Sequence, residues 1–532
     1  MENEIDSLLT DLKRGAISRG EFVRKCLAAG ATLSAIGLLL HNGGPAFAEG
    51  AARPAGARKG GTLRVAIHGP STGLDPAIIS DPATIEITHN IYNFLVRVDS
   101  TFTPYPDLAT KWTTSTDGKT WTFPLHKNVK FHSGKAFTAD DVLYTFQRIQ
   151  NPKTGSAAAS LLSGVASMRK LDDYTVQFNL KAADPDFAVT LSDYHLCILE
   201  KGFSGNFSKN PSGTGPWKLK EFVPADHCLL VRNPSYFEAG LPYLDGIRFV
   251  FLPYASTQVA GLRSGSIDFI EQLTPTQAQP LVGASGINLV TMAGSGFINM
   301  RMRSDRPPFN DLRVRQAFKY VVDRKAINNV VFAGKGVLGN DQPIAPAFVK
   351  WYTDIGLRPR DVAKAKSLLA AAGHPKGITV NLVASPFVGG SDYSQAYQQL
   401  ASDAGIDVKI VTETGADYFA KDWLQVDFGL TSWAGRPTPG VLLNLLFKSG
   451  AVWNEAHYSN KQLDKLIDAA ASELDPVKRK SIYKQIELLI SNDGPSIIPF
   501  FSTFVFAGTT KLKGFQPLPD TFHYFKKAWL SS

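Results

Sequence analysis

Short strand-like segments alternate with amphipathic helical segments along almost the whole chain, from Gly60 to Phe506. Residues 174–180 alternate apolar and polar side chains, which is typical of a half-buried strand. Asp475-Pro476 places a capping side chain before a proline, which is typical of a helix start. This alternation predicts an α/β fold, with an early β-rich insertion around residues 92–185.

The length and composition are those of a soluble protein with two or three domains. A chain of 532 residues is too long for one hydrophobic core, and 44% hydrophobic with 19% charged residues is ordinary for globular proteins. The net charge is +9, but the basic residues are scattered, which argues against a nucleic-acid groove and is compatible with anionic ligands. No run of 18 or more apolar residues indicates a transmembrane helix.

The first 48 residues have the order of regions found in a signal peptide. A basic segment at 18–25 precedes an uncharged segment at 26–40, and Ala46-Phe47-Ala48 supplies the small residues that a signal peptidase reads. We therefore predict a signal peptide over residues 1–48, cleavage after Ala48, and a linker at 49–59. Gly20 stands where a twin-arginine signal has its second arginine, so export by the Tat or the Sec route stays open.

Cleavage at Ala48 would leave two cysteines, Cys197 and Cys228, in the mature chain. An oxidising periplasm permits a disulfide between them. Two separate buried thiols are the alternative, because the sequence does not give the distance between the two residues.

The motifs of common enzyme classes are missing. The sequence has no H-E-x-x-H, no G-x-S-x-G and no P-loop. Residues 334–339 match G-x-G-x-x-G, but they follow a helix instead of a strand and are interpreted as a loop. His126 and His132 lack partners at metal spacing and are expected on the surface, and Asp140-Asp141 is expected to complement a helix dipole. The sequence therefore predicts no catalytic residue, no metal and no cofactor.

A strand followed by a stiff loop is the best candidate for a ligand-binding corner. Residues 426–430 alternate as in a strand, and the next loop carries Trp433 and Arg436 among glycines and prolines that keep it bent and stiff. Arg436 can offer a planar charged fork to a carboxylate or phosphate. A core tryptophan beside a surface arginine is the alternative interpretation. The other residues predicted to contact a ligand are Ser432, Asn299, Arg301, Trp453, Asn454, Gly73 and Leu74.

Several stretches resemble the periplasmic solute-binding proteins of ABC importers, specifically the dipeptide- and oligopeptide-binding type, family 5. They occur in the family's order from about residue 60 to 515. The most specific is Pro307-Pro308-Phe309-Asn310-Asp311-Leu312-Arg313-Val314-Arg315-Gln316-Ala317-Phe318, followed by Asp323-Arg324. The others are Gly60-Gly61-Thr62-Leu63, Leu74-Asp75-Pro76, Pro106-Asp107-Leu108-Ala109, Asp117-Gly118-Lys119-Thr120-Trp121-Thr122-Phe123, Phe131-His132-Ser133-Gly134, Thr138-Ala139-Asp140-Asp141-Val142, Gly213-Thr214-Gly215-Pro216 and Arg232-Asn233-Pro234.

The resemblance implies a type II periplasmic-binding-protein fold, with two hinged α/β lobes and an extra β-rich domain. The predicted boundaries are 60–91, 186–290 and 505–532 for lobe 1, 92–185 for the extra domain inserted in it, and 291–504 for lobe 2. The resemblance further implies a periplasmic protein that closes over a small solute and delivers it to a membrane permease with its ATPases, without catalysing a reaction. We expect a monomer that binds no nucleic acid.

One position departs from the family pattern and bears on the ligand. Peptide-binding members typically carry an acidic residue shortly after the tryptophan that corresponds to Trp433, where it pairs with the α-amino group of the peptide. Here Arg436 takes that place, and no acidic residue lies between Asp427 and Glu455. We therefore predict an anionic ligand: an opine-like conjugate, an acidic or N-blocked peptide, or an acidic sugar derivative. A general di- or oligopeptide-binding protein is the first alternative, and a secreted hydrolase or a ligand sensor is the remote one.

Overall fold

The structure is a computed structural model that describes residues 56–70, 73–384, 390–413, 418–451, 453–515, 517–518 and 522–531. The predicted signal peptide and most of the predicted linker lie outside the described residues, so cleavage after Ala48 stays a prediction.

Strands and helices alternate along the described chain, which confirms the predicted α/β class. The strands are β1 Thr62–Ile67, β2 Val96–Val98, β3 Pro104–Pro106, β4 Thr113–Thr114, β5 Thr120–Pro124, β6 Val165–Asp172, β7 Thr175–Leu180, β8 Trp217–Val223, β9 His227–Arg232, β10 Gly246–Phe251, β11 Phe269–Leu273, β12 Ile287–Met302, β13 Val337–Leu338, β14 Ile378–Ala384, β15 Ile406–Thr412, β16 Phe428–Trp433, β17 Ser496–Ile497, β18 Phe500–Thr509, β19 Leu512–Lys513 and β20 Trp529–Leu530. The α-helices are α1 Pro82–Ile91, α2 Ala139–Gln150, α3 Phe187–Thr190, α4 Ala255–Ser264, α5 Pro275–Ala278, α6 Leu312–Tyr320, α7 Arg324–Phe332, α8 Val362–Ala371, α9 Gly390–Ser402, α10 Pro439–Leu446, α11 Lys461–Ser472 and α12 Pro476–Asn492.

One sheet of twelve strands connects most of these elements. Its order is β15-β14-β16-β12-β18-β11-β1-β10-β9-β8, with β13 beside β18 and β17 beside β12. The antiparallel strands β12 and β18 lie in the middle and link the two ends of the sheet. The sequence predicts only the C-terminal part of β12, from residue 297, as a strand, because Gly294 and Gly296 interrupt the pattern before it.

The pairing of β12 with β18 changes register between Ala293 and Phe297. A Cβ atom at Gly294 would lie 2.6 Å from the ring of Phe504, and one at Gly296 would lie 2.5 Å from the carbonyl oxygen of Trp433. Side chains are therefore excluded at both glycines, and the backbone of β12 approaches the loop after β16 closely. The irregular point of the central strands thus lies directly beside the predicted binding corner.

A separate four-stranded sheet, β4-β5-β7-β6, lies within the predicted β-rich insertion. Helix α2 packs on it and begins with a capping box between Thr138 and Asp141, so the carboxylate of Asp141 stabilises the helix start. A buried apolar cluster fills the space between helix and sheet, and includes Phe123, Phe146 and Phe178. The boundaries of the three predicted domains stay predictions.

Two cations of α6 are buried, although the sequence pattern places them largely outside the apolar stripe of the helix. The side chain of Lys319 is fully buried and donates to the carbonyls of Ile490 and Ser491 at 3.1 and 2.9 Å. Arg315 donates to the carbonyl of Asp493 at 2.9 Å and pairs with its carboxylate at 2.7 Å. Both cations are buried because the C-terminal carbonyls of α12 lack helical partners and need external donors.

Lys319 is expected to make stability rise with pH. Burial lowers its pKa from 10.5 to about 7, so in this window the unfolded chain binds a proton that the folded chain has released. The folded state therefore gains relative stability as pH rises above 7. In urea titrations, the free energy of unfolding of the wild type minus that of Lys319→Met should increase by at most about 1.4 kcal/mol per pH unit. A difference independent of pH between about 7 and 9 would contradict the burial of the ammonium group.

Two further predictions concern the state of the two cysteines and the exposure of one histidine. Cys197 and Cys228 are both free and buried, which favours separate thiols over a disulfide. His132 is not a surface histidine as predicted: its Nε2 lies 3.0 Å from the carbonyl of Gly215, and burial lowers its pKa to about 4. The packing of the loop before β8 against this ring is a long-range contact that residue spacing does not indicate.

Candidate ligand-binding site

Strand β16 ends at Trp433, where the predicted ligand-binding loop with Arg436 begins. It runs antiparallel to β12, with Trp433 opposite Phe297 and Thr431 opposite Asn299. Alternation along both strands therefore puts Asn299 and Thr431 side by side on one face of the sheet. Both side chains are buried, and both reach the same acceptor, Glu455.

Glu455 is a buried carboxylate saturated with donors. Its Oε1 accepts from Asn299 Nδ2 at 3.0 Å and from the indole nitrogen of Trp433 at 3.0 Å. Its Oε2 accepts from the indole nitrogen of Trp423 at 2.8 Å and from the hydroxyl of Thr431 at 2.8 Å. An ionised carboxylate has about four lone-pair sites. Glu455 therefore has no acceptor capacity left for a ligand.

Arg301 neutralises this carboxylate from the face of β12 that also carries Asn299. Its Nε lies 3.4 Å from Glu455 Oε2, and its Nη1 donates to the carbonyl of Val426 at 2.8 Å. Gly429 makes the room, because a Cβ atom there would lie 2.8 Å from the guanidinium carbon. Arg301 is fully buried and belongs to the support of the site.

Three indole rings pack around Glu455. The ring centroids of Trp423, Trp433 and Trp453 lie 6.0 to 6.3 Å apart, and their planes are tilted by 50 to 55°. Trp433 is 6% exposed, whereas Trp453 is 38% exposed. The cluster therefore presents the ring of Trp453 outward and uses Trp433 as the packed layer behind it. The structure brings Trp433 and Trp453, both of them predicted ligand contacts, into one cluster.

Arg436 is the charged group of this corner. Its backbone carbonyl accepts from Ser295 Oγ at 3.3 Å, and its Nη1 donates to the adjacent Gly435 carbonyl at 3.2 Å. Burial lowers its pKa, while Tyr194 and Asp193 act in the opposite direction. Among the residues that the structure describes, Arg436 forms no ion pair, although an arginine keeps its charge in proteins. The loop thus holds a half-buried, unneutralised cation.

Residues from the predicted extra domain and from predicted lobe 1 lie opposite this loop. Val98, Phe102 and Val189 share one buried apolar cluster with Trp433 and Leu442. A cavity of about 120 Å³ adjoins the Arg436 loop; its lining includes Phe102, Asp186, Phe348, Trp351, Pro437 and Thr438. Ligand pockets usually have about 300–1,000 Å³. A solute of ordinary size therefore requires the two sides of this contact to move apart.

A buried ion pair lies at the same contact between the two sides. The carboxylate of Asp186 accepts from Arg479 Nη1 at 2.7 Å and from Nη2 at 2.5 Å. The guanidinium of Arg479 also lies 4.8 Å from the ring centroid of Trp351, and its Nε donates to the carbonyl of Ala470 at 2.7 Å. Both charged side chains are largely buried. This pair joins predicted lobe 1 to helix α12 of predicted lobe 2.

The remaining predicted site residues lie in different environments, and their ligand contacts stay predictions. Ser432 is exposed on β16, and Gly73 is exposed in the loop after β1. Leu74 is fully buried in the core around β1, and its backbone N–H donates to Ser208 Oγ at 3.0 Å. Asn454 is 5% exposed, and its amide nitrogen donates to the carbonyls of Lys448 and Tyr458. Leu74 and Asn454 are therefore packed inside the protein and do not face open space.

Sequence reasoning missed Glu455 and Trp423. One signal was available for Glu455: it follows Trp453-Asn454 directly and is the first acidic residue after Asp427. Trp423 lies ten residues before Trp433, and nothing in its local sequence indicates a shared acceptor.

Among the described residues, no group of three or more His, Cys, Asp or Glu side chains is placed to hold a metal ion. In the same part of the chain, no helix is long and apolar enough to cross a membrane.

The chain is similar to solved periplasmic binding proteins over nearly its whole length. The ABC transporter-associated periplasmic binding protein DppA from Helicobacter pylori, in complex with the peptide STSA, is 25% identical with a TM-score of 0.76, covering 89% of this chain and 99% of that chain. The oligopeptide-binding protein AppA from Bacillus subtilis, in complex with a nonapeptide, is 26% identical with a TM-score of 0.75, covering 90% and 100%. The fold is that of the type II periplasmic binding proteins, as predicted.

Two curated relatives agree with this class. The glutathione-binding protein GsiB of Pectobacterium atrosepticum is 29% identical, covering 88% of this chain and 94% of the relative. The dipeptide-binding protein of Escherichia coli is 29% identical, covering 87% and 94%. The model of the bacterial extracellular solute-binding proteins, family 5, matches residues 103–454. The chain belongs to this family, whose members bind small solutes for ABC importers and are not enzymes.

Proposed function

We propose that this chain captures a small anionic peptide-like or opine-like solute between two closing lobes and delivers it to an ABC permease in the inner membrane, without chemical change. The lobes are those predicted at 60–91 with 186–290 and 505–532, and at 291–504. Solute contacts made in the closed form stabilise that form, so binding shifts the population toward closure. Export to the periplasm with cleavage after Ala48 is part of the proposal.

The observation that carries the proposal is the charge at the corner after β16. Glu455 is fully used by indole, amide and hydroxyl donors, and Arg301 neutralises it. The partly exposed cation of this corner is the guanidinium of Arg436, which has no ion-pair partner among the described residues. A guanidinium in partly buried surroundings binds a carboxylate or phosphate strongly and disfavours an ammonium group.

The relatives support both the class of solute and one alternative. Glutathione, the solute in the name of one relative, is an acidic peptide with two carboxylates. The dipeptide-binding relative favours the alternative of a general di- or oligopeptide-binding protein, in which backbone contacts dominate. The two possibilities differ in whether Arg436 meets a carboxylate or lies beside a free amino terminus, so the charge of the solute distinguishes them.

Four probes of similar chemistry test the charge preference: N-acetyl-dialanine, dialanine, dialanine amide and glutathione. In titrations of intrinsic tryptophan fluorescence, we expect N-acetyl-dialanine or glutathione to bind more tightly than dialanine amide. Arg436→Ala should weaken the tightest anionic probe at least about tenfold, because a hydrogen bond to a charged group contributes about 1.5–3 kcal/mol.

The matched control is Arg169→Ala, which removes the same charge from an exposed position on β6. This variant should bind every probe as the wild type does. Tight binding of dialanine that is unchanged in Arg436→Ala would refute the anionic preference and favour the general peptide-binding alternative. Failure of both anionic probes to saturate the protein would also contradict the proposal.

A further inference from the structure

Glu455 lies beside the proposed solute site but does not face it. Its side chain is 2% exposed, and its oxygens are occupied by four donors from three separate segments. These segments are β12, β16 and the loop that carries Trp423. A carboxylate buried in this way acts on a solute only through the groups that it holds.

The two indole nitrogens bound by Glu455 fix the orientation of two rings. Trp433 Nε1 donates to one oxygen at 3.0 Å, and Trp423 Nε1 donates to the other at 2.8 Å. The hydrogen bond from its N–H therefore fixes the orientation of each ring, in addition to apolar packing. Because both rings share one carboxylate, a substitution that removes both of its oxygens releases them together.

The exposed ring of Trp453 packs against both of these indoles. Its centroid lies 6.0 Å from that of Trp423 and 6.0 Å from that of Trp433. Trp453 lies two residues from Glu455, whose backbone N–H donates to the Trp453 carbonyl at 2.8 Å. The orientation of the exposed Trp453 ring therefore depends on the carboxylate through its packing against Trp423 and Trp433, and the backbone bond keeps Trp453 close to Glu455.

We propose that Glu455 is the positioning residue of the solute site: it orients Trp423 and Trp433 so that Trp453 presents a fixed apolar face beside the cation Arg436. This inference rests on the proposed function. In this arrangement the apolar or planar part of an anionic solute contacts the exposed ring of Trp453, and the anionic group contacts the guanidinium of Arg436. Glu455 itself touches neither part.

The first test reads the rings without any solute. Closely packed indoles give an exciton-coupled circular dichroism signal, which is assigned as the difference between the wild type and Trp453→Phe. Glu455→Gln should reduce this coupled signal, because a glutamine amide turns a donor toward a donor, leaves one indole N–H without an acceptor and so frees that ring. Persistence of the full signal in folded Glu455→Gln would overturn the positioning role, whatever the solute is.

The second test separates positioning from simple stabilisation. Glu455→Gln should weaken binding of the tightest anionic probe about tenfold. In the double variant Arg301→Met/Glu455→Met both buried charges are removed, and such replacements are often neutral for stability. The double variant should therefore be more stable than Glu455→Met, because no unpaired charge remains, while the four donors keep no acceptor and the coupled signal and the affinity stay low. Recovery of signal and affinity together with stability would show that Glu455 is merely structural.

Asp107 supplies the matched control. It is also a buried carboxylate, accepting from Asn93 Nδ2 at 2.7 Å, Phe94 N at 2.8 Å and Arg97 Nε at 2.7 Å. Asp107→Asn should lower stability while leaving the coupled signal and the probe affinity within about twofold of the wild type. An equal loss of both in Asp107→Asn would assign the effect of Glu455 to general destabilisation and overturn the proposal. If Glu455→Gln loses the coupled signal but the wild type binds no anionic probe, the proposed function is refuted and the positioning role of Glu455 is kept.

Discussion

Replacing Asp186 by asparagine is expected to weaken solute binding about a hundredfold by disfavouring the closed state. Asp186 and Arg479 form a two-pronged ion pair between the predicted lobes, with both side chains largely buried. Removing one partner of a buried pair costs about 3–5 kcal/mol, because the other charge stays desolvated. When the lobes separate, both groups reach water and the cost disappears. The variant therefore shifts the population toward the open form, and the apparent affinity falls with the closed fraction.

Small-angle X-ray scattering and fluorescence titration together check this expectation. Without solute, Asp186→Asn should have a larger radius of gyration than the wild type, and its affinity for the tightest anionic probe should be lower. The control is Asp268→Asn, which breaks a pair with Arg64 at 2.6 Å inside predicted lobe 1. Asp268→Asn should leave both quantities unchanged. Unchanged scattering and affinity in Asp186→Asn would contradict a role of this pair in closure.

Replacing Asp341 by alanine is expected to lower the free energy of unfolding by about 3–5 kcal/mol. The side chain of Asp341 is fully buried, accepts from Arg324 Nη2 at 2.8 Å and forms a second, very short contact with Arg358. Its other oxygen accepts from the backbone N–H of Ile498 at 3.1 Å. The substitution leaves two buried guanidinium groups without their counter-charge, and the start of α7 loses its link to the strand region at Ile498.

Urea unfolding followed by circular dichroism measures this loss. The comparison is Asp403→Asn, which breaks a pair with Arg360 in which the carboxylate is 59% exposed. Exposed pairs contribute about 0–1 kcal/mol, so this variant should be nearly as stable as the wild type. A loss below about 1 kcal/mol in Asp341→Ala would show that the two arginines find other compensation.

Local patterns predict the elements near the site well. The alternation before Trp433 predicts β16, the acidic pair Asp140-Asp141 predicts the first turn of a helix, and the glycines and prolines after Trp433 predict a loop, all of which the structure contains. These features depend on residues within one turn or one strand. The family motifs add the two-lobed architecture, because they identify a fold whose long-range pairing no single segment encodes.

The interactions that the sequence does not reveal join distant segments. Asn299 and Glu455 are 156 residues apart, and Asp186 and Arg479 are 293 residues apart, so no spacing rule relates them. Lys319 is predicted outside the apolar stripe because its own helix provides no partner. Its acceptors are carbonyls at the end of another helix. Pairing of polar groups across such distances follows from tertiary packing, which a periodicity within one element does not contain.

The most direct test of the proposed anion site is a crystal structure of the mature chain with the tightest-binding anionic probe. We predict the probe between the predicted lobes, with a carboxylate oxygen about 2.7–2.9 Å from the guanidinium of Arg436 and its apolar part against Trp453. A probe bound between the lobes with its amino group in that position, or bound with Arg436 turned away from it, would contradict the proposed site.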